Sequence, residues 1–126
     1  MCGRLVVKTL SEEFAEILRM AGIPLPEPRY NVAPTQNVFV VRSAPERPGR
    51  EVVAMRWGLV PAWCDDLSVG SKMINARSET VTQKPAFRSA FKENRCLIPT
   101  DGFYEWQKRG SRKQPFWNRM RDARPF

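Results

Sequence analysis

The 126-residue sequence contains no histidine and has only three, widely separated cysteines. An odd number of scattered cysteines argues against a disulfide framework. Without histidine or a Cys-x-x-Cys pair, the chain also lacks the usual ligands of a structural zinc site. We therefore predict no disulfide, no metal and no cofactor. The three cysteines are Cys2, Cys64 and Cys96.

Long apolar runs are absent as well. No stretch approaches the roughly 20 apolar residues that a membrane-spanning helix needs. The start of the chain has neither the basic segment nor the hydrophobic stretch of a secretion signal. We expect no membrane association and a cytoplasmic location. The length suits one domain, so we predict a single domain over residues 1–126 and a monomer.

Acidic residues are scarce relative to basic ones. There are 13 Asp and Glu against 21 Lys and Arg, which gives a net charge of +8, and residues 107–126 hold seven cations against the single acid Asp122. The planar guanidinium of arginine suits phosphate, so a polyanion is a natural partner. A solvated hairpin explains the local cluster equally well, and charge alone does not separate nucleic-acid binding from solubility.

The hydrophobic pattern predicts an α+β fold, mainly antiparallel β-strands with a few helices. The segment "TLSEEFAEILRMAG" (9–22) has Phe14, Ile17, Leu18 and Ala21 at helical spacing and Gly22 as a stop signal. Residues 23–36 contain four prolines, which remove backbone donors and predict an irregular loop.

The rest of the chain alternates strand and turn signals. Apolar alternation predicts strands over 37–42 and 51–60, joined as a hairpin by "SAPERPGR". A second helix is predicted over 84–94. Strands over 95–99, 102–108 and 115–120 follow, with "RGSRKQ" as a turn between the last two.

The quartet "MCGR" places a thiol beside the amino terminus. A residue as small as cysteine permits removal of Met1, which would leave the free α-amine of Cys2 next to its own thiol. Both groups have a nucleophilic fraction near neutral pH. An aldehyde would condense with the amine to an imine, and the sulfur would then close a durable five-membered thiazolidine. On this quartet alone, a cysteine without function is the simpler interpretation.

Three further segments carry candidate functional residues. In "NARSET", Asn75 and Arg77 stand two positions apart, so that on an extended chain they would face one side. In "GFYEWQK", an inward Glu105 would be desolvated and suited to acid–base chemistry, whereas an outward Glu105 would merely alternate with buried aromatic residues. In "WGLVPAW", a packed turn explains Trp57, and Trp63 could stack on a base.

Together these segments resemble one family. "MCGR", "RYNVAPTQ", "WGLVPAWCDD", "INARSET", "RCLIPTDGFYEW" and "KQPFW" occur in the order and approximate spacing of the SOS response-associated peptidase (SRAP) family, which includes abasic-site crosslinking proteins. The resemblance implies a peptidase-like protein that binds single-stranded DNA at abasic sites, works at damaged nucleoid DNA and traps the sugar aldehyde covalently.

The resemblance also assigns roles to individual residues. Cys2 matches the nucleophile, Asn75 the active-site amide and Glu105 the acid–base carboxylate. Arg4, Asn31 and Arg77 match positions that hold the terminus or the DNA backbone, and Pro34 and Trp63 match positions that border unstacked bases.

The domains of this family are longer than the segment that the present sequence resembles. Family domains continue past the position of "RDARPF" and include an active-site histidine, so the resemblance implies that the C-terminal part of the family domain is missing here and that ring opening or crosslink reversal is impaired. The alternative function is a catalytically impaired fragment that binds single-stranded DNA without chemistry. A hydrolase of small amides ranks third, because the sequence shows no oxyanion site.

Overall fold

The elements of the fold follow the predicted alternation of strands with two α-helices. The computed structural model describes residues 2–9, 12–46 and 48–126. The elements are β1 (Leu5–Val7), α1 (Glu12–Met20), β2 (Arg29–Val32), β3 (Asn37–Ser43), β4 (Arg50–Arg56), a 3-10 helix (Leu67–Lys72), α2 (Pro85–Glu93), β5 (Cys96–Leu97), β6 (Gly102–Arg109) and β7 (Arg112–Asn118). The strand pairs are antiparallel, which confirms the α+β prediction.

The backbone forms two compact units. Unit 1 comprises Met1–Ala33 and Pro99–Phe126, and unit 2 comprises Pro34–Ile98. Unit 1 contains a four-stranded sheet in the order β2-β1-β6-β7. Its buried apolar side chains come from β1, α1 and β2, so these three elements supply its core. They are Leu5, Val6, Phe14, Ala15, Leu18 and Val32.

Helix α1 confirms the helical prediction and its stop signal. Its amphipathic pattern buries Phe14 and Leu18 and leaves Ala21, predicted on the same face, exposed beyond the helix end. Gly22 has φ +67°, its N–H donates to Arg19 O at 3.0 Å, and the next N–H reaches Leu18 O at 2.9 Å. This pair of bonds is a Schellman motif, which requires a residue that tolerates the left-handed conformation.

The prediction of an entirely irregular loop over residues 23–36 is wrong. Strand β2 lies within it, and Val32 pairs with Leu5 of β1. The prolines at positions 24, 26, 28 and 34 flank this strand without entering it. Because β2 is an edge strand, only one side of its backbone needs a partner in the sheet.

Unit 2 contains the predicted hairpin. Strands β3 and β4 pair in register from Asn37↔Arg56 to Ser43↔Arg50, and β5 pairs along the other side of β3. Arg47 in the connecting turn lies outside the described residues. The buried valines of this sheet form the apolar centre of the unit, and they are Val38, Val40 and Val52.

Strand β4 ends four residues before its predicted end at Val60. Gly58 adopts φ +126°, which directs the chain away from the sheet. A Cβ atom on Gly58 would overlap the backbone of Gly70 in the 3-10 helix. The strand therefore stops although the apolar alternation of the sequence continues. Beyond Arg56, a close contact between the Gly58 and Gly70 backbones replaces strand pairing.

Helix α2 and strands β5, β6 and β7 agree with the predicted elements apart from their ends, whereas β1 and the 3-10 helix were not predicted. Helix α2 begins at Pro85, where the missing N–H is tolerated. Strand β5 is shorter than predicted, and β7 starts three residues earlier because its pairing with β6 extends to the tight turn at Gly110. Within the described ranges, no helix combines the length and apolarity required to cross a bilayer.

Candidate functional site

The first residues of the chain are held against the sheet of unit 1. The carbonyl of Arg4 accepts a backbone hydrogen bond from Tyr104 of β6 at 3.0 Å. On the opposite side, Arg4 Nη1 donates to Asn31 Oδ1 at 2.7 Å. The residue before β1 is thus fixed by both neighbouring strands, and Cys2 lies two positions away from that anchor.

Cys2 is half-buried and lies three residues before the start of β1. Its Sγ lies 3.8 Å from the carbonyl oxygen of Arg4. Burial raises the pKa of the Cys2 thiol, and the nearby Glu105 carboxylate raises this pKa further. Both effects disfavour the thiolate, since one removes solvent and the other repels negative charge. Cys2 is therefore mainly a thiol at neutral pH.

Glu105 lies on β6 and is half-buried. The interpretation of an outward glutamate among buried aromatic residues requires buried neighbours. Trp106 is 40% exposed and Tyr104 is only half-buried, so that requirement is not met. The charge of Glu105 raises the pKa of the Cys2 thiol, so this carboxylate acts electrostatically on the candidate nucleophile.

The second group of candidates lies in unit 2. Asn75 and Arg77 are exposed, in an irregular segment rather than a strand, between the 3-10 helix and a turn in which Thr80 and Val81 donate to Arg77 O. The indole N–H of Trp57 donates to Ile74 O at 3.1 Å. Trp57 therefore fixes the backbone immediately before Asn75.

Trp57 also holds the turn that contains Pro34. Thr35 N–H donates to Trp57 O, and Trp57 N–H donates to Gln36 O, both at 2.9 Å. Thr35 has φ +72°, which is uncommon for a β-branched residue. Two candidate segments of unit 2 thus attach to one tryptophan, in agreement with the interpretation of Trp57 as part of a packed turn. Trp63, by contrast, is 70% exposed.

The geometry gathers Cys2, Arg4, Asn31 and Glu105 in unit 1. The other four candidates, Pro34, Trp63, Asn75 and Arg77, belong to unit 2. The family model for SOS response associated peptidase (SRAP) matches residues 1–126. The chain belongs to the SRAP family.

Other members show how far the likeness extends. The abasic site processing protein YoqW of Bacillus subtilis is 44% identical over 114 residues, which cover 86% of this chain and 49% of YoqW. The abasic site processing protein YoaM of the same organism is 43% identical over 118 residues, which cover 89% of this chain and 50% of YoaM. The chain therefore spans about half the length of these curated relatives.

A solved structure supports the fold. The crystal structure of a protein from Bacteroides thetaiotaomicron matches with a TM-score of 0.75 at 22% identity and covers 99% of this chain and 57% of that chain. At this level of identity the likeness concerns the fold, and it agrees with the α+β architecture of the SRAP-family chain.

Asp101 is a buried carboxylate that the sequence analysis missed. It is 2% exposed, and its Oδ2 accepts hydrogen bonds from the backbone N–H groups of Lys8 at 2.6 Å and Thr9 at 2.9 Å. These bonds fix the chain that leaves β1. In sequence, an aspartate before glycine is typical of a turn, so only the distant N–H donors reveal this role.

The acidic and cysteine side chains that the structure describes do not form a cluster. Among them, no three come together as possible metal ligands. The two cysteines outside the amino-terminal segment are Cys64, half-buried, and Cys96, exposed. They serve as natural controls for chemistry at Cys2.

The substitution Glu105→Gln is expected to lower the pKa of the Cys2 thiol. The carboxylate raises this pKa by repelling the thiolate, so its neutral amide removes the repulsion and the thiolate forms at lower pH. The measurement is the ultraviolet absorbance of the thiolate as a function of pH, in a background carrying Cys64→Ala and Cys96→Ala.

The matched control is Glu93→Gln, which removes an exposed carboxylate from α2 in unit 2. It should leave the titration midpoint of Cys2 unchanged. An unchanged midpoint in Glu105→Gln, or an equal shift in both variants, would contradict the electrostatic contact between Glu105 and Cys2.

Proposed function

We propose that this chain recognises abasic sites in single-stranded DNA and captures the open-chain sugar aldehyde through the amine and thiol of Cys2. The observation that carries the proposal is a cysteine beside the amino terminus, half-buried and electrostatically coupled to the Glu105 carboxylate. The family membership supports it, as do relatives whose names describe abasic site processing.

The first step exposes the amine. Hydrolysis of the bond between Met1 and Cys2, the peptidase-like part of the proposal, leaves an α-amine adjacent to the thiol. Met1 lies outside the described residues. The α-amine has an ordinary pKa of about 8, so a useful fraction is neutral and nucleophilic near physiological pH.

The capture then balances as a condensation. The amine nitrogen adds to the aldehyde carbon, and loss of one water gives an imine. The sulfur adds to the imine carbon, and the thiol proton passes to the nitrogen, which completes the thiazolidine. A base that accepts the thiol proton accelerates ring closure.

Glu105 is the proposed proton carrier. The charge of its carboxylate raises the pKa of the Cys2 thiol. In the proposed mechanism the carboxylate accepts the thiol proton, and its acid form protonates the sugar ring oxygen as the ring opens. Arg4 is fixed by Asn31 and by the backbone of Tyr104, so it keeps the reacting terminus in place. These roles require groups on adjacent strands, as β1, β2 and β6 provide.

The unit 2 candidates are assigned to the DNA. Arg77 is an exposed cation suited to a phosphate, and Asn75 offers an amide to the sugar from a backbone held by Trp57. Trp63, with 70% of its surface exposed, presents a ring on which a base can stack. Pro34 borders the unstacked bases from a turn that is anchored to Trp57.

The test is the mass of the product formed with a single-stranded oligonucleotide that carries one abasic site. The expected covalent product is the chain without Met1 plus the oligonucleotide minus one water. An undamaged oligonucleotide of the same sequence should give no covalent product. A product that retains Met1 contradicts the amine–thiol mechanism, and binding without a product favours the single-strand-binding alternative.

A further inference from the structure

We propose that helix α2 and the residues after it form a second binding site for single-stranded DNA, which contacts the phosphate backbone away from the residues assigned above. We call this site the α2 groove. It is an open groove of about 640 Å³ in unit 2, and its basic and aromatic lining comes from Arg88, Phe91, Lys92 and Arg95. The inference rests on the proposed function for the identity of its ligand.

The cations of the α2 groove share one side of the helix end. Arg88 and Lys92 are four residues apart on α2, so their side chains lie on the same face. Arg95 follows two residues after the helix, and all three side chains are exposed. Within the described ranges, none of the three forms an ion pair with a carboxylate.

The negative contributions near the groove are smaller than the positive ones. Glu93 is the one acidic residue in the lining, and the carboxyl end of a helix adds the equivalent of about half a negative charge. Three cations therefore outweigh these contributions, and the groove remains electropositive. Binding of a phosphate anion in this groove is favoured further because the arginines offer several N–H donors to its oxygens.

An aromatic surface accompanies the cations. Phe91 is 39% exposed, and the guanidinium carbon of Arg95 lies 5.7 Å from its ring centroid. A phenyl ring beside a guanidinium offers a flat, partly apolar surface on which a base can stack. N–H donors to phosphate next to a surface for base stacking are typical of sites that bind single-stranded nucleic acid. This combination favours nucleic acid over an acidic protein as the ligand.

The basic surface extends beyond the α2 groove. Arg95 also lines a neighbouring cavity of about 310 Å³ together with Arg42 and Arg50. Arg42 is already paired with Glu51, at 2.7 Å between Nε and Oε1. Arg50 and Arg95 are therefore the main positive groups of this neighbouring cavity. A ligand with regularly repeated charges can therefore contact more than one position along this track.

The chain connects the α2 groove with Arg77 by consecutive turns. Arg77 O accepts from Val81 N, Thr80 O from Lys84 N, and Lys84 O from Arg88 N. Lys84 has an extended backbone conformation before α2 begins, so this run is a series of turns and not one continuous helix. Because Arg77 and the α2 groove belong to the same compact unit, one DNA strand can reach both.

The test compares two triple variants with equal charge loss. The groove variant carries Arg88→Gln, Lys92→Gln and Arg95→Gln. The control carries Arg19→Gln, Arg112→Gln and Lys113→Gln, which are exposed residues outside the α2 groove. The probe is an undamaged, fluorescently labelled oligothymidine, and its affinity is measured as a function of salt concentration.

The groove variant should lose about two units from the slope of log affinity against log salt, because each contacted phosphate of a single strand contributes about 0.7. At about 0.1 M salt this corresponds to a loss of affinity on the order of a hundredfold. The control should keep the wild-type slope. Equal slopes in wild type and groove variant, or an equal loss in both triples, would overturn the proposal.

Two further measurements separate this proposal from the proposed function. At saturating protein, the groove variant should still capture an abasic oligonucleotide to the same extent as wild type. If neither wild type nor the groove variant captures the abasic oligonucleotide, the proposed chemistry is contradicted. The proposal of DNA binding in the α2 groove is tested by the salt slopes alone. A charge-retaining variant with Arg88→Lys and Arg95→Lys should show the wild-type slope of log affinity against log salt. A reduced slope in this variant counts against phosphate contacts.

Discussion

The substitution Cys2→Ala should abolish the heat-stable product with abasic single-stranded DNA, with a loss of at least about a hundredfold in its rate of formation. Alanine keeps the α-amine and is small enough to permit removal of Met1, but it has no sulfur to close the thiazolidine. The reaction should then stop at the imine, which water reverses. The measurement is a denaturing gel after heating.

Cys2→Ser separates nucleophilicity from size. A hydroxyl has nearly the volume of the thiol but is a much weaker nucleophile, so serine should behave like alanine. Cys96→Ala is the matched control, because Cys96 is also a free cysteine whose thiol pKa is raised by partial desolvation of the sulfur, and it has no part in the proposed chemistry. It should capture DNA at the wild-type rate.

Borohydride distinguishes lost chemistry from lost binding. It reduces an imine to a stable amine, so Cys2→Ala should give a covalent product only when borohydride is present. Equal amounts of heat-stable product in Cys2→Ala and wild type without reductant would contradict ring closure by the Cys2 sulfur. No product even with borohydride would mean that the variant no longer brings its amine to the sugar.

Local sequence patterns predicted the elements whose stability depends on nearby residues. Helix α1 could be predicted because its apolar spacing and Gly22 lie within one segment. The β3–β4 hairpin could be predicted because the turn and both strands are contiguous. Strand β2 was missed because its partner β1 lies more than twenty residues earlier, and the flanking prolines gave a stronger local signal than its four residues.

In the candidate site, too, features that depend on nearby residues could be predicted and features that depend on distant residues could not. The chemical types of Cys2 and Glu105 could be identified from short motifs, and the pairing of β6 with β1 brings them close enough to interact. The roles of Trp57 and Asp101 depend on backbone groups far away in sequence: Ile74 O for Trp57, and the N–H groups after β1 for Asp101. No residue spacing predicts such bonds, because they form only when the units have folded.

The substitution Gly58→Ala should produce the largest loss of stability, at least about 3 kcal/mol in the free energy of unfolding. Alanine at φ +126° is strained, and its Cβ would overlap the backbone of Gly70, which has no flexible side chain to move aside. The same contact lies beside the bond from Leu59 N to Met73 O. Urea unfolding followed by circular dichroism measures the loss.

Gly49→Ala isolates the steric part of this effect. Gly49 has a similar φ of +120° in the β3–β4 turn, but a Cβ there meets no atom within 4 Å. It should therefore lose only the backbone contribution, about 1 kcal/mol. Gly70→Ala is intermediate, because its Cβ would approach Gly58 O at 3.0 Å without positive φ. If Gly58→Ala and Gly49→Ala cost the same, the contact between the two glycine backbones does not determine where β4 ends.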